Sequence, residues 1–150
     1  MRFILILTLV GGAALVAGPT QSAAQVQLPP AVERGLHALE AGRPDSAVIE
    51  WTKTWTSPDD NQKRDQLVAS FRRLAEIAGA VRGYDIVRVI DLTPHLRRVY
   101  ILLLCEIQPA YVMLVAYQPA GQWRVTAVNW NTDQDKVLPA SVIALERPGP

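Results

Sequence analysis

LRRVYILLLCEI, the segment from Leu96 to Ile107, decides the fold because it is apolar on both faces that a β-strand would present. Side chains alternate between the two faces of a strand. One face would carry Val99, Ile101, Leu103 and Cys105, and we expect it to meet a layer of helices. The other would carry Tyr100, Leu102 and Leu104, although an antiparallel sheet usually leaves its second face polar. We therefore predict that a second copy of the chain covers these three residues in a homodimer. The alternative is a sheet curved enough to shield them.

Three further segments complete an antiparallel sheet around this one. They are YDIVRVIDL (Tyr84 to Leu92), YVMLVAY (Tyr111 to Tyr117) and QWRVTAVNW (Gln122 to Trp130). The separators between the four segments are short and contain proline or glycine, which is typical of hairpins.

The residues before the sheet have helical spacing. Apolar side chains recur every three or four residues in three groups: Val32, Leu36 and Leu39; Val48, Trp51 and Trp55; and Leu67, Phe71, Leu74 and Ala78. Gly42 and Gly79 mark helix ends, Pro44 marks a helix start, and Ser57 is placed to cap the third helix. Helices followed by strands predict the α+β class, with N-terminal helices packed on an antiparallel sheet of about four strands.

The composition excludes several classes of protein. The chain has 150 residues, which suits a single domain, and 15 basic residues balance 14 acidic ones. A nucleic-acid-binding protein needs a surplus of positive charge, so we expect no nucleic acid partner. The one cysteine, Cys105, excludes an internal disulfide, and its leucine neighbours predict an inert, buried thiol.

The first 24 residues have the pattern of a secretory signal peptide. Arg2 is basic, residues 3–17 are uncharged and apolar, and Ser22 and Ala24 place small side chains before a cleavage site at Gln25. The apolar run is shorter than the roughly 20 residues that span a bilayer. We therefore predict cleavage and export to the periplasm or the medium, with no membrane contact afterwards. The mature chain would be one domain, residues 25–145, with a disordered tail at 146–150.

The order of the elements and the final strand resemble the NTF2-like (cystatin-like α+β) superfamily. The strand motif is Gly121-Gln122-Trp123-Arg124-Val125 followed by Asn129-Trp130-Asn131-Thr132-Asp133, and the resemblance covers about Val32 to Leu138. It implies a curved sheet that wraps around the helices as a cone with a pocket at its open end. Dimerisation through the outer face of the sheet is common in the group. The superfamily includes enzymes and non-enzymatic binding proteins, so the fold alone does not give the activity.

Two groups of residues have the side-chain types that catalysis or metal binding requires. Asp91 and His95 could form a carboxylate–histidine pair that acts as a general base, but His95 is predicted to lie in a solvated turn. Glu33, His37 and Glu40 share a helix face at a spacing that could hold a metal, but a solvated face is the simpler interpretation. We therefore predict no catalytic set, no metal and no cofactor.

The predicted ligand-binding residues are Trp55, Tyr84, Tyr117 and Asn129. Asn129 would share its strand face with Trp123, Val125 and Ala127, and a buried amide without a partner costs about 1–3 kcal/mol. It would therefore bond to the backbone or to a ligand. Tyr84 and Tyr117 would join it at the mouth of the cone, and Trp55 would form an apolar wall.

Three functions remain open at this stage. The first is an exported, non-enzymatic NTF2-like protein, dimeric, that binds a small apolar molecule or assists a partner protein. The second is a small isomerase, lyase or hydrolase that uses Asp91 and His95, both of which would have to lie inside the cone. The third is a purely structural interaction module.

Overall fold

Three helices precede the sheet in the structure, a computed structural model that describes residues 27–144. They are α1 (Pro30–Glu40), α2 (Pro44–Thr52) and α3 (Asp60–Ala78). Proline occupies the start of α1 and of α2, where its missing N–H costs no helical hydrogen bond. Gly42 and Gly79 follow α1 and α3 with φ values of 69° and 84°, which a residue with a Cβ adopts only under strain. The predicted signal peptide and tail, residues 1–24 and 146–150, lie outside the described residues.

A four-stranded antiparallel sheet follows, in the simple order β1-β2-β3-β4. Its strands are β1 (Val81–Thr93), β2 (Leu96–Cys105), β3 (Ala110–Tyr117) and β4 (Arg124–Asn131). The sheet is curved and unclosed, so β1 and β4 form its two edges. The predicted fold class, α+β with N-terminal helices packed on a curved antiparallel sheet, is confirmed.

The main core lies between the helices and the inner face of the sheet. Val99, Ile101 and Leu103 of β2 are fully buried there, as the alternation of the segment predicts. Trp51 of α2 packs against Phe71 of α3 with ring centroids 5.3 Å apart. Each such side chain contributes about 1.5–3 kcal/mol by leaving water, so this layer carries most of the stability of the fold.

The second helix ends earlier than its apolar spacing predicts. The spacing predicts that Trp55 continues the helical face of Val48 and Trp51, but α2 ends at Thr52 and Trp55 lies in the loop. The reason is local: Arg64 of α3 donates from Nε to Thr52 Oγ1 (2.8 Å) and from a terminal nitrogen to Thr52 O (3.1 Å). These bonds satisfy a carbonyl at the helix end, and the chain turns away there.

A segment that the sequence analysis did not identify covers the outer face of the sheet. After β4 the chain forms a 3-10 turn, Gln134–Lys136, and a one-turn helix α4, Ala140–Ile143. Val137, Leu138 and Val142 of this C-terminal segment form a second apolar cluster with Tyr100. The centre of the outer face is therefore covered by the chain itself.

Three of the four sheet irregularities lie in β1. Arg82, Val87 and Leu92 have no partner in the register with β2 and are β-bulges. The fourth is Thr126 of β4, which has no partner in β3 because Val115 pairs with Ala127 and Ala116 pairs with Val125. Each extra residue changes which side chains face the core.

Within residues 27–144, no helix has the length and apolar character needed to cross a membrane.

Candidate functional site

The four residues predicted to line one pocket lie in separate parts of the molecule. Trp55 lies beside the edge strand β4, with its Nε1 donating to Val125 O at 2.7 Å. Tyr84 lies on the inner face of β1, at the opposite edge of the sheet. Tyr117 and Asn129 are on the outer face and exposed to solvent. The structure therefore does not bring these four side chains together.

A β-bulge explains the position of Asn129. The prediction that Asn129 shares a face with Val125 assumes unbroken alternation, and this is wrong because Thr126 is an extra residue in the register. Val125 is buried in the core, whereas Asn129 pairs with Met113 on the outer face. The amide is exposed and needs no buried partner.

Asp91 and His95 do not form a catalytic pair. His95 is exposed in the turn between β1 and β2, where its backbone N–H donates to Thr93 Oγ1. Asp91 instead accepts two hydrogen bonds from Arg97, at 2.6 and 3.1 Å. The bond from Arg97 lowers the pKa of the Asp91 carboxyl, so this carboxylate is a weaker base than an ordinary one. The enzymatic alternative required both side chains inside the cone, and this condition is not met.

Tyr84 lies near a small polar group on α1. The His37 ring meets the Tyr84 ring edge-on at a centroid distance of 6.2 Å, and His37 Nδ1 is 3.2 Å from a Glu40 carboxylate oxygen. Burial, with a smaller effect from the charges of Glu40 and Glu33, raises the pKa of the Tyr84 hydroxyl. Among residues 27–144 no group of histidine, cysteine and acidic side chains has an arrangement suited to a metal ion.

The three residues predicted to form a dimer interface differ in exposure. Tyr100 is only 3% exposed because the C-terminal segment covers it. Leu102 is half-buried, and Leu104 is 43% exposed. A second copy of the chain could therefore reach Leu104, but it could not reach Tyr100 without displacing residues 134–144.

An apolar cavity of about 270 Å3 lies between the C-terminal half of α3, the α1–α2 turn and the start of β1. Its lining includes Leu39, Phe71, Leu74 and Val81, and none of its lining side chains is charged. The sequence predicts Leu39, Phe71 and Leu74 only as apolar helix faces and makes no prediction for Val81. The signal that could have located the cavity is the run of small residues beside them, Ala75, Ala78, Gly79 and Ala80, which leave space that larger side chains would fill.

A second cavity, of about 300 Å3, lies at the other edge of the sheet and is polar. It lies between the α2–α3 loop, the first turn of α3 and β4, and we call it the Trp55 groove. Residues that line it include Trp55, Lys63 and Arg124. Of the predicted ligand-binding residues, Trp55 is the one that the structure places in a described cavity.

Cys105 packs against the main core and is half-buried. Desolvation raises the pKa of its thiol, which reduces the fraction of reactive thiolate at neutral pH. The thiol is thus less buried than predicted, and its low reactivity stays a prediction.

Comparisons of the chain with protein-family models, with curated proteins and with solved structures gave no match.

Proposed function

We propose that this chain is an exported, non-enzymatic protein of NTF2-like shape that binds a small apolar molecule between α3 and β1. The observation that carries the proposal is the apolar cavity of about 270 Å3. The cavity is partly open to solvent, since Gly42 and Ala75 at its rim are exposed. Pockets that bind drug-sized ligands have volumes of about 300–1,000 Å3. The cavity therefore suits a single ring or a short alkyl chain.

The lining supports binding rather than catalysis. Phe71 and Leu74 are 1% exposed and form the floor, while Pro44 and Ala75 provide accessible apolar surface at the rim. No lining side chain can hold or transfer a proton. Binding would be driven by apolar contact alone, so we expect a dissociation constant between roughly ten micromolar and one millimolar for a ligand of this size.

The experiment uses toluene and indole as probes and measures binding by calorimetry and by the shift in melting temperature. In the variant Ala75→Phe, we expect the phenyl ring to fill the cavity and to abolish binding of both probes. The matched control is Ala69→Phe, an exposed position on the same helix that does not line the cavity, and this variant keeps the affinity of the original chain. The proposal would be contradicted if neither probe binds, or if the two variants bind the probes equally well.

Export is the second part of the proposal and rests on the pattern of residues 1–24. Expression of the full chain in a Gram-negative host should give a periplasmic protein whose N-terminus is Gln25, as measured by intact mass. An uncleaved chain in the cytoplasm or the membrane would show that the pattern is not a functional signal peptide.

Self-association through the outer face is the third part, and the exposed Leu104 supports it. Ile107 is 70% exposed and lies close to the exposed Ile77, because Ile107 N donates to Ala78 O. These two side chains form a separate exposed apolar pair at the turn between β2 and β3, beside the end of α3. Sedimentation at micromolar concentration should give the mass of two chains for the original protein and of one chain for Leu104→Glu. A single-chain mass for both would exclude the dimer.

A further inference from the structure

The Trp55 groove is a second cavity with a chemistry different from that of the apolar one. Residues that line it include Thr54, Thr56, Ser57 and Thr126, which carry four hydroxyl groups, and the charged residues Asp60, Lys63 and Arg124. One of these hydroxyls, Thr126 Oγ1, donates to Val115 O at 3.3 Å. It lies against β4, whereas the apolar cavity lies against β1, the opposite edge of the sheet. A ligand in one cavity does not compete for space with a ligand in the other.

The groove is held in shape before any ligand arrives. Trp55 Nε1 donates to Val125 O at 2.7 Å, which joins the α2–α3 loop to β4. The Arg64 guanidinium donates to both Thr52 Oγ1 and Thr52 O. The backbone N–H of Trp55 also donates to Thr52 O, at 2.9 Å. A preorganised wall avoids the entropy cost of ordering a loop on binding.

Among the groove's charged side chains, all within residues 27–144, Asp60 offsets the charge of Lys63, and the charge of Arg124 remains. Asp60 accepts a hydrogen bond from Ser57 N at 2.6 Å, and Lys63 Nζ is 3.7 Å from the other oxygen of the same carboxylate. Within residues 27–144, no carboxylate lies at ion-pair distance from Arg124. A guanidinium binds a carboxylate through two parallel N–H···O bonds, so Arg124 favours an anionic ligand with this planar group.

The remaining lining defines the rest of the ligand. Serine and threonine hydroxyls donate and accept hydrogen bonds, which suits a ligand that carries several hydroxyl groups. Trp55 is half-buried, so part of its ring stays accessible. The negative face of an aromatic ring attracts weakly positive C–H groups, such as those on one side of a pyranose ring. A cavity of about 300 Å3 accommodates one sugar ring.

We propose that the Trp55 groove binds a sugar acid, a pyranose that carries a carboxylate, with Arg124 on the carboxylate and the hydroxyl side chains on the sugar. The proposal does not depend on the function of the apolar cavity. The ligand could be a free monosaccharide or the end of an acidic polysaccharide, since both present the same group.

Calorimetry on the full protein tests the proposal with galacturonate, galactose and acetate. We expect galacturonate to bind at least tenfold more tightly than galactose, which lacks the charge, and than acetate, which lacks the ring. Adding a short oligogalacturonide distinguishes the two sources: tighter binding of the oligomer indicates the chain end, and equal binding indicates the free sugar.

The variant Arg124→Met should weaken galacturonate binding by roughly tenfold to a hundredfold and leave toluene binding unchanged. The matched control is Arg98→Met, an exposed arginine on the outer face of β2, for which we expect a change of less than about twofold. Equal affinity for galacturonate and galactose, an unaffected Arg124→Met, or no binding at millimolar galacturonate would each overturn the proposal. Toluene binding reports separately on the apolar cavity.

Discussion

Replacing Gly35 by alanine tests the packing between α1 and α2 directly. A Cβ at this position would lie 2.0 Å from Trp51 Nε1, 2.4 Å from Cε2 and 2.7 Å from Cδ1. Carbon atoms in contact are about 3.5–4.0 Å apart, so the indole would have to move by more than 1 Å. Trp51 is 1% exposed and is packed against Phe71, so there is little free space for this movement.

The expected cost follows from three opposing effects. Alanine in place of glycine stabilises a helix by about 1 kcal/mol. Overpacking a core costs about 1–3 kcal/mol. Moving the indole also breaks the bond from Trp51 Nε1 to Val32 O, which is 3.3 Å long and buried, and a buried donor without a partner costs about 1–3 kcal/mol. The free energy of unfolding should therefore fall by about 1–5 kcal/mol, the sum of the two losses less the helix gain.

Urea unfolding followed by circular dichroism measures this change, with Gly35→Ala compared with the original chain. The exposed position Ala69 provides the reference, because Ala69→Gly should cost about 1 kcal/mol through helix propensity alone. In a Trp51→Leu background the cost of Gly35→Ala should decrease, because leucine ends at Cδ and has no atoms at the positions of Nε1 and Cε2, two of the three clashing atoms. A Gly35→Ala variant as stable as the original chain, or more stable, would refute the packing argument.

Three other predictions concern single side chains. Arg64→Met should lower the free energy of unfolding by about 1–2 kcal/mol, measured in urea, because it releases the loop that holds Trp55; an unchanged midpoint would show that the loop is held by other contacts. The Arg97 partner lowers the pKa of Asp91, so the pair stabilises the fold above the unfolded pKa of about 3.9, and this contribution disappears as the pH falls through the folded pKa. Asp91→Asn should therefore be less stable at pH 7 by no more than about 1 kcal/mol, and the difference should vanish in acid; a difference that persists in acid would assign it to something other than charge. Cys105, whose thiol pKa is raised by desolvation, should react with a disulfide reagent at least about tenfold more slowly in the native state than in urea, and equal rates would show that the thiol is accessible.

The sequence predicted the elements well where periodicity is the dominant signal. The spacing of Val32, Leu36 and Leu39 located α1, and the alternation of Val99, Ile101 and Leu103 located the core face of β2. These patterns are regular because each element buries one continuous face.

The errors have identifiable physical causes. A single bulge at Thr126 moved Asn129 to the outer face, and no local pattern marks an extra residue in a strand. The C-terminal segment is too short to show a periodic apolar pattern, so the sequence did not reveal that it packs on the sheet. In the structure Val137, Leu138 and Val142 cover Tyr100. The cavities were not predictable because they depend on how closely distant elements pack.

The irregular edge strand β1 has a consequence for the behaviour of the protein at high concentration. A sheet that does not close leaves backbone N–H and C=O groups free along its edges, and these groups invite strands from other molecules, the first step towards fibrils. Arg82, Val87 and Leu92 interrupt β1 at three points along its 13 residues, so an incoming strand finds no long uninterrupted ladder. We therefore expect the bulges that shape the inner face of β1 to make this edge a poor template for the addition of a strand from another molecule.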